Sequence, residues 1–218
     1  MKTDDLIERL GRDATVVTPL PPPARRTVAW LAFGAIYLVV AVTTVLAMMS
    51  RDMAAVTPLS LLQQGLALLT GIAAARAAFI SVVPGSNGRA RVLPMIAGAL
   101  WVAALLSASV LDVQASGTLG ITAETDWSCV LSMTIGGLVL GAPMLVMLRR
   151  GAPMTPWASA FLGGLAAVSL ANIEACLARP HLFAMTILLW HGATAVIVAG
   201  VSAWVGRRWL RWPSIQLH

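Results

Sequence analysis

Few side chains in this 218-residue chain can do chemistry, and most stand alone in apolar sequence. The two cysteines, Cys129 and Cys176, are widely separated and form no CxxC. On an oxidising face such a pair closes a disulfide; as thiolates it binds a soft metal ion, with His181 and Glu174 near enough in sequence to Cys176 to serve as further ligands. The other reading is two small packed side chains without chemistry, because free cysteine behaves as a small hydrophobe. His191 lies about 15 Å further along a helix than His181, so the two cannot share one ion. At that depth in an apolar helix an imidazole either handles a proton or hydrogen-bonds across helices. Arg76 interrupts an apolar run close to its end, where a long stem lets the guanidinium snorkel to head groups. His218 ends the chain, and no chemistry is assigned to it.

Enzymatic motifs are missing. There is no Walker loop, dinucleotide glycine fingerprint, HExxH or nucleophile elbow, so no catalytic residue and no bound cofactor is expected, and the chain is not read as an enzyme. A membrane thiol oxidoreductase is a weak alternative, since only Arg179 would support a reactive thiol locally. A small transporter or channel using Arg76, Glu174 and His191 is the stronger one.

The elements that must position these residues follow from composition. Hydrophobic residues make up 58% and charged residues 11%, under half the ~25% charged fraction of a soluble domain. Mean hydropathy is +0.83, which excludes an ordinary water-soluble globule. Spanning ~30 Å of hydrocarbon takes ~20 residues of helix. Six runs qualify, at residues 27–50, 53–75 (continuing past Arg76 to 83), 92–111, 127–148, 151–173 and 180–206. The expected fold is all-α, an integral membrane bundle of six transmembrane helices filling residues 27–212. A cytoplasmic arm at 1–26 precedes it and a cytoplasmic tail at 213–218 follows.

The net charge of +6 fits topology better than nucleic-acid binding. Twelve basic residues fall at one set of span ends, from Lys2 through Arg91 and Arg149 to Arg211, against Arg51 and Arg179 at the other. The positive-inside rule then places both termini in the cytoplasm and both cysteines near the outer surface of a bacterial inner membrane. Acids among the first residues and the length of the first run argue against a cleaved signal peptide. Trp30, Trp127, Trp157, Trp204, Trp209 and Trp212 fall near expected interfaces and read as an aromatic belt. Gly137 with Gly141, and Gly163 with Gly164, permit close helix approach, chiefly within the bundle.

The arm reads differently. Thr3 can cap a short helix, Asp4 and Asp5 suit its positive end, and Leu6, Ile7 and Leu10 share one side. Gly11 is expected to break it, and Pro19 with Pro21, Pro22 and Pro23 makes a stiff spacer. A helix this short is below the ~12 to 15 residues that hold alone, so it orders on docking to something. That something is either a soluble protein or the lipid surface.

The opening Met1-Lys2-Thr3-Asp4-Asp5-Leu6-Ile7-Glu8-Arg9-Leu10, the proline run, Val83-Pro84-Gly85, Trp190-His191 and the Gly206-Arg207-Arg208-Trp209-Leu210-Arg211-Trp212 tail together resemble the NrsF family. Its members are negative regulators of the sigma factor F type, six-span inner-membrane anti-sigma factors. The resemblance implies that the arm captures an extracytoplasmic-function sigma factor through Leu6, Ile7 and Leu10. It also implies that Cys129 and Cys176 sense oxidant or heavy-metal stress outside, a soft metal ion being a transient signal. The sequence departs from that family pattern at Leu177, where a proline follows the family's cysteine. Lipid and the sigma factor are the expected partners, with no direct contact to nucleic acid.

Overall fold

In the computed structural model of the chain, the residues described are 3–12, 19–49, 57–83, 85, 88–119, 127–151, 153–177 and 182–210. They form helices α1 (Thr3–Arg12), α2 (Pro23–Met49), α3 (Pro58–Ser81), α4 (Val92–Ser116), α5 (Trp127–Arg149) and α6 (Pro156–Leu177). A sixth long helix follows in three pieces: α7 (Ala184–Thr186), a π turn (Ile187–His191) and α8 (Gly192–Trp209). Among the described residues six helices are long and apolar enough to cross a membrane. The bundle is all-α, as composition requires.

Local chemistry sets the boundaries. Pro23 opens α2 a turn before the apolar run begins, since a first-turn proline forgoes no helical hydrogen bond. Helix α3 starts at Pro58 instead of Met53 because Thr57 caps it, its side chain accepting from the Ser60 amide at 3.1 Å. Helix α4 outlasts its apolar run and stops at Gly117, whose φ of 71° few other residues adopt. In the arm, α1 runs through Gly11 to Arg12, and an ion pair from Arg12 to Glu8 spans that glycine.

Helix α6 is the axis: 78% of its span is enclosed, against 11% for the first span. It packs on α8, α3, α5 and α2. Small residues on every side make that crowding feasible, among them Ala160, Gly163, Gly164, Ala167 and Ala171. At Gly164 a Cβ would lie 2.6 Å from the Ser202 Cβ and 3.1 Å from the Ala199 Cα, so α8 sits against bare backbone there. The glycine pairs thus serve packing within the chain.

The end that carries the arm is tied by arginines. Arg26 is buried, its guanidinium 4.6 Å from the centre of the Phe79 ring, and it donates to the Met147 carbonyl near the end of α5. Arg91 donates to Thr155 at 3.1 Å, and Arg149 and Arg208 lie over Trp209 and Trp204. Trp30 departs from expectation. It is only 1% exposed and donates to the Leu140 carbonyl at 3.0 Å, so it belongs to the core and not to an interfacial belt. Trp127, Trp157, Trp204 and Trp209 are exposed, as a belt demands, and Trp212 lies outside the described residues.

Candidate functional site

The polar chemistry gathers at the end of the bundle away from the arm, around the last two turns of α6. Asn172 and Cys176, one turn apart, share one face of that helix, and Glu174 takes the other. Cys176 Sγ lies 3.5 Å from His191 Nδ1 and 3.7 Å from Asn172 Oδ1, while His191 Nδ1 and Asn172 Oδ1 are 2.8 Å apart. Gln64 on α3 lines the same cavity as Cys176. On the opposite face Glu174 accepts from the Tyr37 hydroxyl at 3.2 Å and from the Ser132 hydroxyl at 2.8 Å. A buried carboxylate is tolerated there because both oxygens have donors.

Cys129 stands one turn before Ser132 on α5. It is buried, within electrostatic reach of both Glu174 and Cys176. Neither cysteine is in a disulfide. Helix α6 therefore brings the two thiols into one neighbourhood, Cys176 facing α3 and the π turn and Cys129 lying on the Glu174 side.

Two sequence expectations change at this point. His191 lies shallower in its span than expected, because the helix starts at Ala184 and not at Pro180, while its hydrogen bond across to Asn172 is of the interhelical kind expected, with Cys176 beside it. Arg76 is exposed on the outside of the bundle, whereas Glu174 and His191 are buried against different neighbours. Among the described residues these three therefore form no shared cluster. Glu174 is committed to Tyr37 and Ser132, and His181 lies outside the described residues. Among the described residues no three His, Cys, Asp or Glu side chains converge on one point.

Sequence reasoning missed Asn172, Gln64, Tyr37, Ser132 and Asp112. A signal existed for Asn172, an amide one helical turn before Cys176 in an otherwise apolar span, where polar groups need partners. Asp112 could not be found that way. It reaches across from α4 to accept the Ala184 amide at 2.9 Å, capping α7 and fixing where the sixth helix begins. Beside it a cavity of about 250 Å³ is lined by Gln63, Gln64, Asp112, Cys176 and Ala184.

At the other extreme, α1 presents Ile7 with 63% of its surface exposed. The side chains of Leu6 and Leu10 lie outside the described set.

These features define a class: a bundle of six membrane-length helices with its polar residues packed at one end and a short amphipathic helix leading in at the other. A sequence model described as Negative regulator of sigma F (NrsF) matches residues 10–212, and the chain belongs to that family. It is 28% identical over 229 residues to the "Probable anti-sigma-F factor NrsF" of Azospira oryzae, covering 97% of this chain and 100% of that protein. It is 29% identical over 221 residues to the "Anti-sigma-F factor NrsF" of Caulobacter vibrioides, again covering 97% and 100%. No solved structure matches at a significant level. The chain is thus a regulator of the anti-sigma kind. The family match starts at Leu10, so Leu6 and Ile7 precede it.

Proposed function

We propose that this protein holds an extracytoplasmic-function sigma factor at the bacterial inner membrane through its arm and releases it under oxidant or heavy-metal stress. The observation that carries the reading is the family match across the whole bundle, which ties the architecture to negative regulation of a sigma factor. The exposed Ile7 on a ten-residue helix supports the arm as the capture element, and Leu6 and Leu10 are the other apolar residues of that helix proposed to take part. Docked on the sigma factor, that stripe blocks contact with RNA polymerase. The arm faces the cytoplasm by the twelve-to-two bias of basic residues. Cys129 and Cys176 then lie, buried, at the outer end of the bundle, the side from which oxidants and soft metals arrive.

Release requires a two-state bundle. Shifting a partner from 99% bound to 99% free takes a stimulus worth ~5.5 kcal/mol of differential stability. A new disulfide or metal bond on the end of α6, the axis against which four other helices pack, is suitably placed to bias such an equilibrium.

Deleting residues 1–15 tests the capture element, with target transcription and membrane insertion read together. Transcription of the sigma-dependent genes should rise without stress while the bundle still inserts. Unchanged transcription with normal insertion would remove the arm from the mechanism.

A further inference from the structure

We infer that the interior of the bundle holds a further site, an apolar cavity that takes the head of a membrane-dissolved quinone, a neutral carbonyl compound. The cavity measures about 320 Å³ and reaches from Thr70 on α3 and Gly98 on α4 to Asn172 on α6 and Ala195 on α8. Neither cysteine lines it. Ligand sites of this kind are concave and mostly apolar, with a few polar groups that fix orientation, and they begin at about 300 Å³. The site rests on this cavity and on Asn172, and not on the capture reading above.

The mouth opens toward lipid and not toward water. Helix α4 packs on α3, α7 and the π turn, but α8 is not among its close neighbours. The cavity lies behind that gap, and two of its lining residues, Val102 on α4 and Val196 on α8, are exposed on the side of the bundle. A ligand that enters there must already be dissolved in the membrane. Its flat head can pack on Trp101, which also lines the cavity, while an apolar tail passes out through the gap into lipid.

The polar group in the wall selects among lipophilic occupants. Asn172 is 4% exposed, and its amide nitrogen has no hydrogen-bond partner. At membrane depth an unmet N–H is costly, because no water replaces the missing bond. What it lacks is an acceptor. The Thr70 and Ser169 hydroxyls cannot serve as rival donors without cost, since they donate to the Leu66 and Leu165 carbonyls of their own helices at 2.8 and 2.7 Å. A lipid acyl chain carries no acceptor at this depth and would leave the amide unmet. A fatty acid would add a carboxylate on the same turns of α6 that already bury Glu174, and among the described residues no lysine or arginine lines the cavity to neutralise it. An uncharged ring carbonyl satisfies the amide and suits the hydrocarbon wall.

The test uses the full-length chain in phosphatidylcholine nanodiscs and tritium-labelled decylubiquinone, with empty nanodiscs as the baseline for simple partition into lipid. Saturable binding of one quinone per chain above that baseline is expected. Decylbenzene, which keeps the ring and tail but has no carbonyl, should fail to displace it. Asn172→Leu should weaken binding about three- to tenfold, the scale of one buried hydrogen bond. At Gly98 a Cβ meets only the Thr70 methyl at 3.8 Å, so Gly98→Ala should stay within about twofold of wild type, whereas the longer side chain of Gly98→Leu should fill the cavity and abolish binding. Gly200→Leu adds the same bulk at a position that has open space and does not line the cavity, and should also stay within about twofold. No saturable binding above empty nanodiscs would overturn the site. Displacement by decylbenzene as effective as by unlabelled quinone would overturn the role of the carbonyl, and equal effects of Gly98→Leu and Gly200→Leu would overturn the location. The comparison of the two competitors is made on the wild-type chain and does not depend on any variant folding. No sigma factor enters the assay, so its outcome and that of the arm deletion are independent.

Discussion

At Arg26 a charged side chain is almost wholly enclosed, and its bonds explain why it stays there: the stem and guanidinium cover Phe79 on α3 while one nitrogen holds the Met147 carbonyl on α5. It joins the root of the arm to two other spans. Arg26→Met keeps most of the packing and removes the donor, so the loss should be about 1–3 kcal/mol. A thermal melt in detergent should fall by several degrees, and a wild-type melt would show that the bond contributes nothing. Under the proposed sensing role, Cys129 and Cys176 act on the response to stress. Each Cys→Ser change should leave repression intact in unstressed cells and abolish the transcriptional response to oxidant or heavy metal. A double variant that still responds would move the sensor elsewhere.

Helix α6 shows what an element contributes beyond its residues. Its apolar character identifies a span, but its small side chains decide that α8, α3, α5 and α2 all approach it closely. Gly164→Leu puts a large side chain where the Ala199 backbone already lies within 3.1 Å of a modest Cβ. Overpacking of this kind costs about 1–3 kcal/mol or more. The variant should show a lower detergent melt and faster proteolysis, whereas Gly200→Ala, at a position with open space around it, should be silent. The π turn is the other element-scale device. Its extra residue per turn places His191 opposite Cys176, and Asp112 holds the preceding amide so that the register cannot slide freely.

Over the whole molecule, charge and hydrophobicity separate two ends. Arg26, Arg91, Arg149 and Arg208 lie at the end where the arm enters, and the cysteines with Asn172, Glu174 and His191 lie at the far end. If the arm is cytoplasmic, Thr3→Cys in a chain otherwise lacking cysteine should resist a membrane-impermeant maleimide in intact cells and react after permeabilisation. Labelling in intact cells would invert the topology and put the thiols inside.

Composition alone determined that this is a six-helix apolar bundle with a short amphipathic arm, because ~20 apolar residues per span and the clustering of arginines are properties of the linear chain. The nearness of Cys129 and Cys176 was also legible, since alternating span direction puts both at one end. Which polar groups meet was not. Helices that are apolar all round have no polar face to set against an apolar one, so nothing in their periodicity announces the side that turns inward. Trp30, Glu174 and Asn172 found their partners only through helix rotation and crossing. His191 reached Cys176 through a later helix start and a wide turn, both fixed by contacts from distant spans that no local pattern encodes.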